Sequence, residues 1–244
     1  DDDLGINSGS VYVFTSSNGV SWVQSDKVAA SDGKASDFFG RAVSGLSSST
    51  FVVGAIIIDS GSVYVFTSSN GVGWVQSGKV VASDGEDSDY FGWAVSGLSS
   101  NAFAAGAYGD DDMGVNSGSV YVFTSSNGVS WVQSDKVVAS DGKAYDYFGM
   151  VVSGLSSSSF AVATVYNNDL GRSNSGSVYV FTSSNGVSWV QSDKVVASDG
   201  KAYDYFGMVV SGLSSSSFAV ATVYNNDLGR SNSGSVYVFT SSNG

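Results

Sequence analysis

The string Ser-Gly-Ser-Val-Tyr-Val-Phe-Thr-Ser-Ser-Asn-Gly begins at Ser8, Ser60, Ser117, Ser175 and Ser233. A Phe-Gly pair recurs in step with it, at Phe39-Gly40, Phe91-Gly92, Phe148-Gly149 and Phe206-Gly207. Residues 117–174 and 175–232 are identical. A chain built this way folds as successive copies of one supersecondary unit, each burying its apolar surface against its neighbours. The copies run over residues 8–59, 60–116, 117–174 and 175–232, with a partial copy at 233–244, and together make one repeat domain over 1–244. The full unit is about 58 residues long. The first is shorter, because Ile56-Ile57-Ile58-Asp59 stands where the next unit has Tyr108 to Asn116.

Each unit reads as four strands. Val11-Tyr12-Val13-Phe14 is a β-branched and aromatic run closed by Ser16-Ser17-Asn18-Gly19, and Asn-Gly marks a turn because both residues tolerate positive φ. Ser21 to Val28, Phe39 to Leu46 and Phe51 to Ala55 supply the other three, separated by Ser31-Asp32-Gly33 and Ser47-Ser48-Ser49. Apolar residues never recur at helical spacing, so almost no helix is expected. The half-polar strand through Trp22, Gln24 and Lys27 suits an outer edge. Small-residue strands such as Phe103-Ala104-Ala105-Gly106-Ala107 suit a crowded axis. The expected fold is all-β: a β-propeller-type array of four-stranded antiparallel blades, four repeats plus a surplus strand. Phe39, Phe91, Phe148 and Phe206 are expected to be buried between blades. Val11–Phe14 and Val236–Phe239 occupy the same phase, so one closed ring would make them compete for one place. That points to a segment of a repetitive fibre or cell-surface array, the alternative being a four-bladed ring with one terminal strand displaced.

Of the 244 residues, 42% are hydrophobic and 13% aromatic, ample for a core. The chain holds no Cys, His or Pro. Absent Cys and His exclude a disulfide framework, a zinc site of the usual kind and a Ser-His-Asp triad. A net charge of −12 repels phosphate backbones, which argues against nucleic acid as a partner. No apolar run is long enough to span a bilayer, so membrane insertion is not expected.

The succession Asp37-Phe38-Phe39-Gly40, Val43-Ser44, Gly54-Ala55 and Gly61-Ser62-Val63-Tyr64-Val65-Phe66 resembles the FG-GAP repeat. That repeat builds the propeller of integrin α-subunits and of many secreted microbial and algal proteins. Four copies in register carry the resemblance over essentially the whole chain. It implies an extracellular or cell-surface location. This chain lacks the Pro of the motif, and Ala163-Thr164 and Ala221-Thr222 replace Gly-Ala in the later units. The integrin-type DxDxDG calcium loop is also missing: the corresponding connection, Gly154 to Ser158, has no carboxylate.

A different loop can offer oxygen ligands. Asp110, Asp111, Asp112 and Asn116 form the best candidate Ca²⁺ site, the alternative being a solvated Asx-rich turn. Asp1-Asp2-Asp3 matches the same phase, and the later copies weaken to Asn167-Asn168-Asp169 and Asn225-Asn226-Asp227. The recurring pairs Asp32/Asp37, Asp84/Asp89, Asp141/Asp146 and Asp199/Asp204 read as Asx turns bonding amides between blades, or as a weak metal site. Trp22, Trp74, Trp131, Trp189, Tyr145 and Tyr203 either pack between blades or present platforms for sugars. Trp93, whose counterparts are Arg41, Met150 and Met208, is expected to be exposed. Carboxylates in repeated turns do not make one unique site, so the chain is not expected to be an enzyme. The expectation is a non-catalytic extracellular structural or adhesive module, partnered by itself or by other extracellular proteins. The alternative is a glycan-binding propeller.

Overall fold

The computed structural model describes residues 1–56, 60–225 and 232–241. The deletion at residues 57–59 and the last acidic-loop copy at Asn226-Asp227 therefore fall outside the described residues. Among the described residues seventeen strands form five antiparallel sheets. The first sheet pairs β1 (Val11–Thr15) with β2 (Val23–Val28). The second is β3 (Ala42–Ser47), β4 (Thr50–Ala55), β5 (Ser62–Thr67) and β6 (Val75–Val80), in that order. The third is β7 (Ala94–Ser99), β8 (Ala102–Ala107), β9 (Ser119–Thr124) and β10 (Val132–Val137). The fourth is β11 (Val151–Ser156), β12 (Ser159–Thr164), β13 (Ser177–Thr182) and β14 (Val190–Val195). The fifth is β15 (Val209–Ser214), β16 (Ser217–Thr222) and β17 (Ser235–Thr240). A single 3₁₀ turn at Asp169–Gly171 is the helical content of the described residues, and none of their helices could cross a membrane.

Alternation along the Val-Tyr-Val-Phe strand explains why it is apolar on both faces. Side chains two apart share a face. Val63 and Val65 pack on the third sheet, among Phe103, Tyr121 and Phe123. Tyr64 and Phe66 turn the other way, toward Val28 and the partly buried Val11 and Val13 of the first sheet. Each interface is thus an aromatic face laid on a valine face. Phe39, Phe91, Phe148 and Phe206 are buried in these layers, edge-on to the tyrosine in the third strand of the sheet that follows. Trp74, Trp131 and Trp189 lie against Phe51, Phe103 and Phe160, with ring centroids 4.7, 5.1 and 4.8 Å apart. These three tryptophans are packing residues.

The outer edges behave as the half-polar pattern predicts. Each fourth strand carries a bulge, and its extra residue is a serine: Ser25, Ser77, Ser134 or Ser192. The serine hydroxyl donates to the carbonyl of Val13, Val65, Val122 or Val180 at 3.1–3.3 Å. A bulge with its carbonyl satisfied blunts an edge against further pairing. In the Asn-Gly turns only glycine takes positive φ, as at Gly19. The asparagine instead accepts two amides through its side chain, as Asn18 does from Val20 and Ser21.

The axis differs from expectation. Successive sheets meet through β3, β7, β11 and β15, not through the small-residue strands, which sit second. The Val-Ser-Gly-Leu segment makes this possible. A Cβ on Gly154 would lie 2.4 Å from the Gly97 carbonyl oxygen, and one on Gly97 2.6 Å from that of Gly45. Ser44, Ser96 and Ser153 accept the amides of Gly97, Gly154 and Gly212 across these contacts. β1 pairs with β2 and β17 with β16, so the two strands expected to compete lie in separate sheets.

Candidate functional site

The acidic loop holds a lysine. Asp110 and Asp112 meet the Lys136 ammonium at 3.0 and 2.6 Å, and Asp84 reaches the same nitrogen at 2.9 Å. Asp110 is buried and also accepts the hydroxyls of Ser119 and Tyr121, at 2.9 and 2.7 Å. Asp111 turns away to accept the Asn116 amide at 2.6 Å. Asn116 therefore contributes backbone to the loop, at φ 52°. Among the described residues no three acidic side chains are grouped to hold a metal ion. Two of the four candidate Ca²⁺ ligands, Asp110 and Asp112, lie against a protein cation.

The same arrangement recurs. Lys27 meets Asp1 and Asp3 beside Tyr12 and Ser10. Lys194 meets Asp141 and Asp169, each at 2.6 Å, beside Tyr179 and Ser177. The first aspartate of each Ser-Asp-Gly turn is the inter-blade partner: Asp32, Asp84 and Asp141 each accept the tyrosine and lysine of the following blade. The second binds locally: Asp37, Asp89, Asp146 and Asp204 accept an amide three residues back, and Asp146 also accepts the Asn167 side-chain amide at 3.2 Å. Lys79 and Tyr64 hold Asp32 below the usual carboxylate range against opposing burial. Burial pushes Asp89 and Asp146 up.

A second feature runs across the sheets at one end of the inner strands. Each turn into an inner strand carries an aromatic residue just before Phe-Gly, and in the third, fourth and fifth sheets a second aromatic follows the next strand. Trp93, Tyr108, Tyr147, Tyr166, Tyr205 and Tyr224 form a continuous ladder with centroid spacings of 4.7, 5.7, 5.4, 5.6 and 5.4 Å. Tyr90 stacks on Tyr108, while Tyr145 and Tyr203 flank Tyr147 and Tyr205. At the Trp93 end the Arg41 guanidinium lies 3.6 Å over the ring. Trp93 is thus half-buried between a cation and a tyrosine rather than exposed. Tyr145, Tyr166, Tyr203 and Tyr224 remain exposed.

The backbone beneath the ladder is strained. Tyr90, Tyr147 and Tyr205 have φ of 53–57°, and Tyr145 and Tyr203 66° and 65°. Bulky residues avoid this region, at a cost of about 1–2 kcal/mol each. Parallel hydrogen bonds impose it: Tyr145, Tyr147 and Phe148 donate their amides to Val115, Asn116 and Ser117. Such strain concentrates where a side chain must be presented in a fixed direction. Sequence inspection found Tyr145, Tyr203 and Trp93, but not the ladder. Its other members stand two residues after Tyr145 or Tyr203, or on the far side of a hairpin, so no local pattern unites them. The repeated Tyr-x-Tyr before Phe-Gly was the available signal.

A family model described as FG-GAP repeat matches residues 22–66, 74–123, 131–181 and 189–239. No curated protein matches the sequence. Among solved structures, the chain resembles an α-L-arabinanase of Penicillium chrysogenum complexed with arabinobiose, at 14% identity and a TM-score of 0.50, over 91% of this chain and 71% of that one. It also resembles a protein from Lactobacillus plantarum, at 12% identity and a TM-score of 0.49, covering 94% of this chain. It spans 62% of that protein's length. The arabinanase likeness is one of fold. It overturns the inference from repeat architecture to a non-catalytic structural or adhesive module, because an enzyme stands on similar architecture.

Proposed function

The chain belongs to the FG-GAP repeat family, and we propose that it binds a neutral, linear saccharide along its tyrosine ladder. The ladder carries this reading: a row of phenol rings, two of them (Tyr147 and Tyr205) on left-handed backbone, offers repeated apolar faces and hydroxyls. Sugar rings present the matching surfaces, apolar C–H faces rimmed by hydroxyls. A net charge of −12 disfavours sulfated or uronate-rich chains. The reading is of binding rather than turnover. Burial pushes the Tyr108 phenol up, so that ring stacks and hydrogen-bonds as the neutral hydroxyl. A fold likeness to an arabinanase that holds arabinobiose is compatible with this reading without specifying the sugar. Such polymers are met outside the cell, where the family resemblance also points.

Affinity electrophoresis in gels containing neutral or acidic polysaccharides tests the proposal. Retardation by at least one neutral polymer is expected, together with its loss in Tyr145→Ala/Tyr203→Ala. Both side chains are exposed, so the fold should survive. No retardation by any neutral polymer, or equal retardation of the variant, would reject it.

A further inference from the structure

The second sheet departs from its neighbours at one place. In the first, third and fourth sheets an acidic loop brings a carboxylate to the lysine of the fourth strand: Asp3 to Lys27, Asp112 to Lys136, Asp169 to Lys194. In two of these a serine of the third strand binds the same aspartate, Ser10 to Asp3 and Ser177 to Asp169. In the third sheet the equivalent serine, Ser119, binds the adjacent Asp110. In the second sheet the loop is shortened. Lys79 there meets Asp32 alone among the described residues, at 2.6 Å. Ser62 is 92% buried and its hydroxyl makes no hydrogen bond among the described residues. Tyr64, whose counterpart Tyr121 donates to both Asp84 and Asp110, donates to Asp32.

A cavity of about 110 Å³ lies beside Lys79 and Ser62, lined also by Tyr64, Asp32, Asp37 and Lys34 among others. Its charged lining balances, two lysines against two aspartates. The equivalent cleft of the third sheet is lined by six acidic side chains against Lys136 alone. One more carboxylate is therefore tolerated more readily in the second sheet than in a sister site that already holds its own. The cavity is smaller than the roughly 150 Å³ void that takes a benzene ring. It admits a carboxylate on a short stem and no sugar ring.

We propose that this cavity is a binding site for an external carboxylate, seated where Asp112 and Asp169 sit in the sister sheets. Lys79 would supply the charge and Ser62 the hydrogen bond. The group could come from a free small acid or from an aspartate side chain of a partner. These share the chemistry and differ in what surrounds it.

Titration with sodium acetate against sodium chloride at constant ionic strength, followed by amide NMR of the whole chain, tests this. Saturable shifts at Gly61, Ser62 and Lys79, at least tenfold weaker in Lys79→Met and in Ser62→Ala, are expected. Both variants are checked for an unchanged melting temperature. Acetyl-Gly-Asp-Gly-amide forms the second arm: tighter binding than acetate assigns the site to a protein carboxylate, and weaker binding to a small acid. Linear, non-saturating shifts, or shifts unchanged in both variants, would overturn the proposal. So would binding that appears only in Asp59→Asn, since the chain's own carboxylate would then be the ligand.

Discussion

At the scale of single residues, the lysine contacts divide into buried and exposed forms, with different consequences. Lys136 neutralises Asp110, whose side chain is only 5% exposed, whereas Lys79 pairs with Asp32, half exposed. Removing one partner of a buried pair strands a charge in a poor solvent, at about 3–5 kcal/mol. An exposed pair contributes about 0–1 kcal/mol. Urea unfolding should therefore show Lys136→Met destabilised by about 3 kcal/mol and Lys79→Met by less than about 1. Equal losses would contradict the assignment. Acid titration should separate the aspartates. Lys79 and Tyr64 lower Asp32 against burial. In Asp84 and Asp141 burial acts upward, but the lysine and tyrosine bonds outweigh it. Stability from these depressed carboxyls is complete above the unfolded value of 3.8 and is lost as pH falls through the lower folded values. Asp89 and Asp146, raised by burial, have the opposite sign: they cost stability at neutral pH and release it on protonation. The melting temperature should rise as pH falls from 7 through the raised values of Asp89 and Asp146, then fall below about 3.8. A steady fall from pH 7 would refute the burial of Asp89 and Asp146.

At the scale of the element, identical sequence has unlike consequences. Gly45 and Gly154 both lie in Ser-Gly-Leu-Ser, yet a Cβ on Gly45 meets nothing within 4 Å while one on Gly154 meets the Gly97 carbonyl. Gly45→Ala should be neutral or slightly stabilising, since glycine in a strand costs about 0.5–1 kcal/mol relative to alanine. Gly154→Ala should cost about 1–3 kcal/mol, because backbone must move. Matching melting temperatures for the two would show that the inner strands do not meet as described. The comparison also marks what the sequence could convey. Strand positions, the edge character of the Gln-Ser-x-Lys strand and the burial of Phe39, Phe91, Phe148 and Phe206 were legible, because alternation and turn chemistry act within a few residues. Which strand lines the axis was not. Small residues at Phe103–Ala107 and a lone glycine in Val95–Ser99 both signal close approach, and only the sheet order decides between them. The aspartates showed the same limit: that Asp110 and Asp112 meet Lys136 was not legible, because the lysine lies a hairpin away in sequence.

At the scale of the whole molecule, repetition turns one local device into a surface. Every tyrosine of the ladder belongs to one repeat, but the ladder exists only because successive sheets bring those tyrosines within 6 Å of one another. A ligand that uses it must be long. Isothermal titration with a homologous series of neutral oligosaccharides, drawn from a polymer that retards the chain, tests this most directly. Affinity should climb with each added sugar, level off once the ladder is covered, and lose its length dependence in Tyr145→Ala/Tyr203→Ala. An affinity that is the same for every length, or a length dependence the double variant retains, would contradict saccharide binding along the ladder.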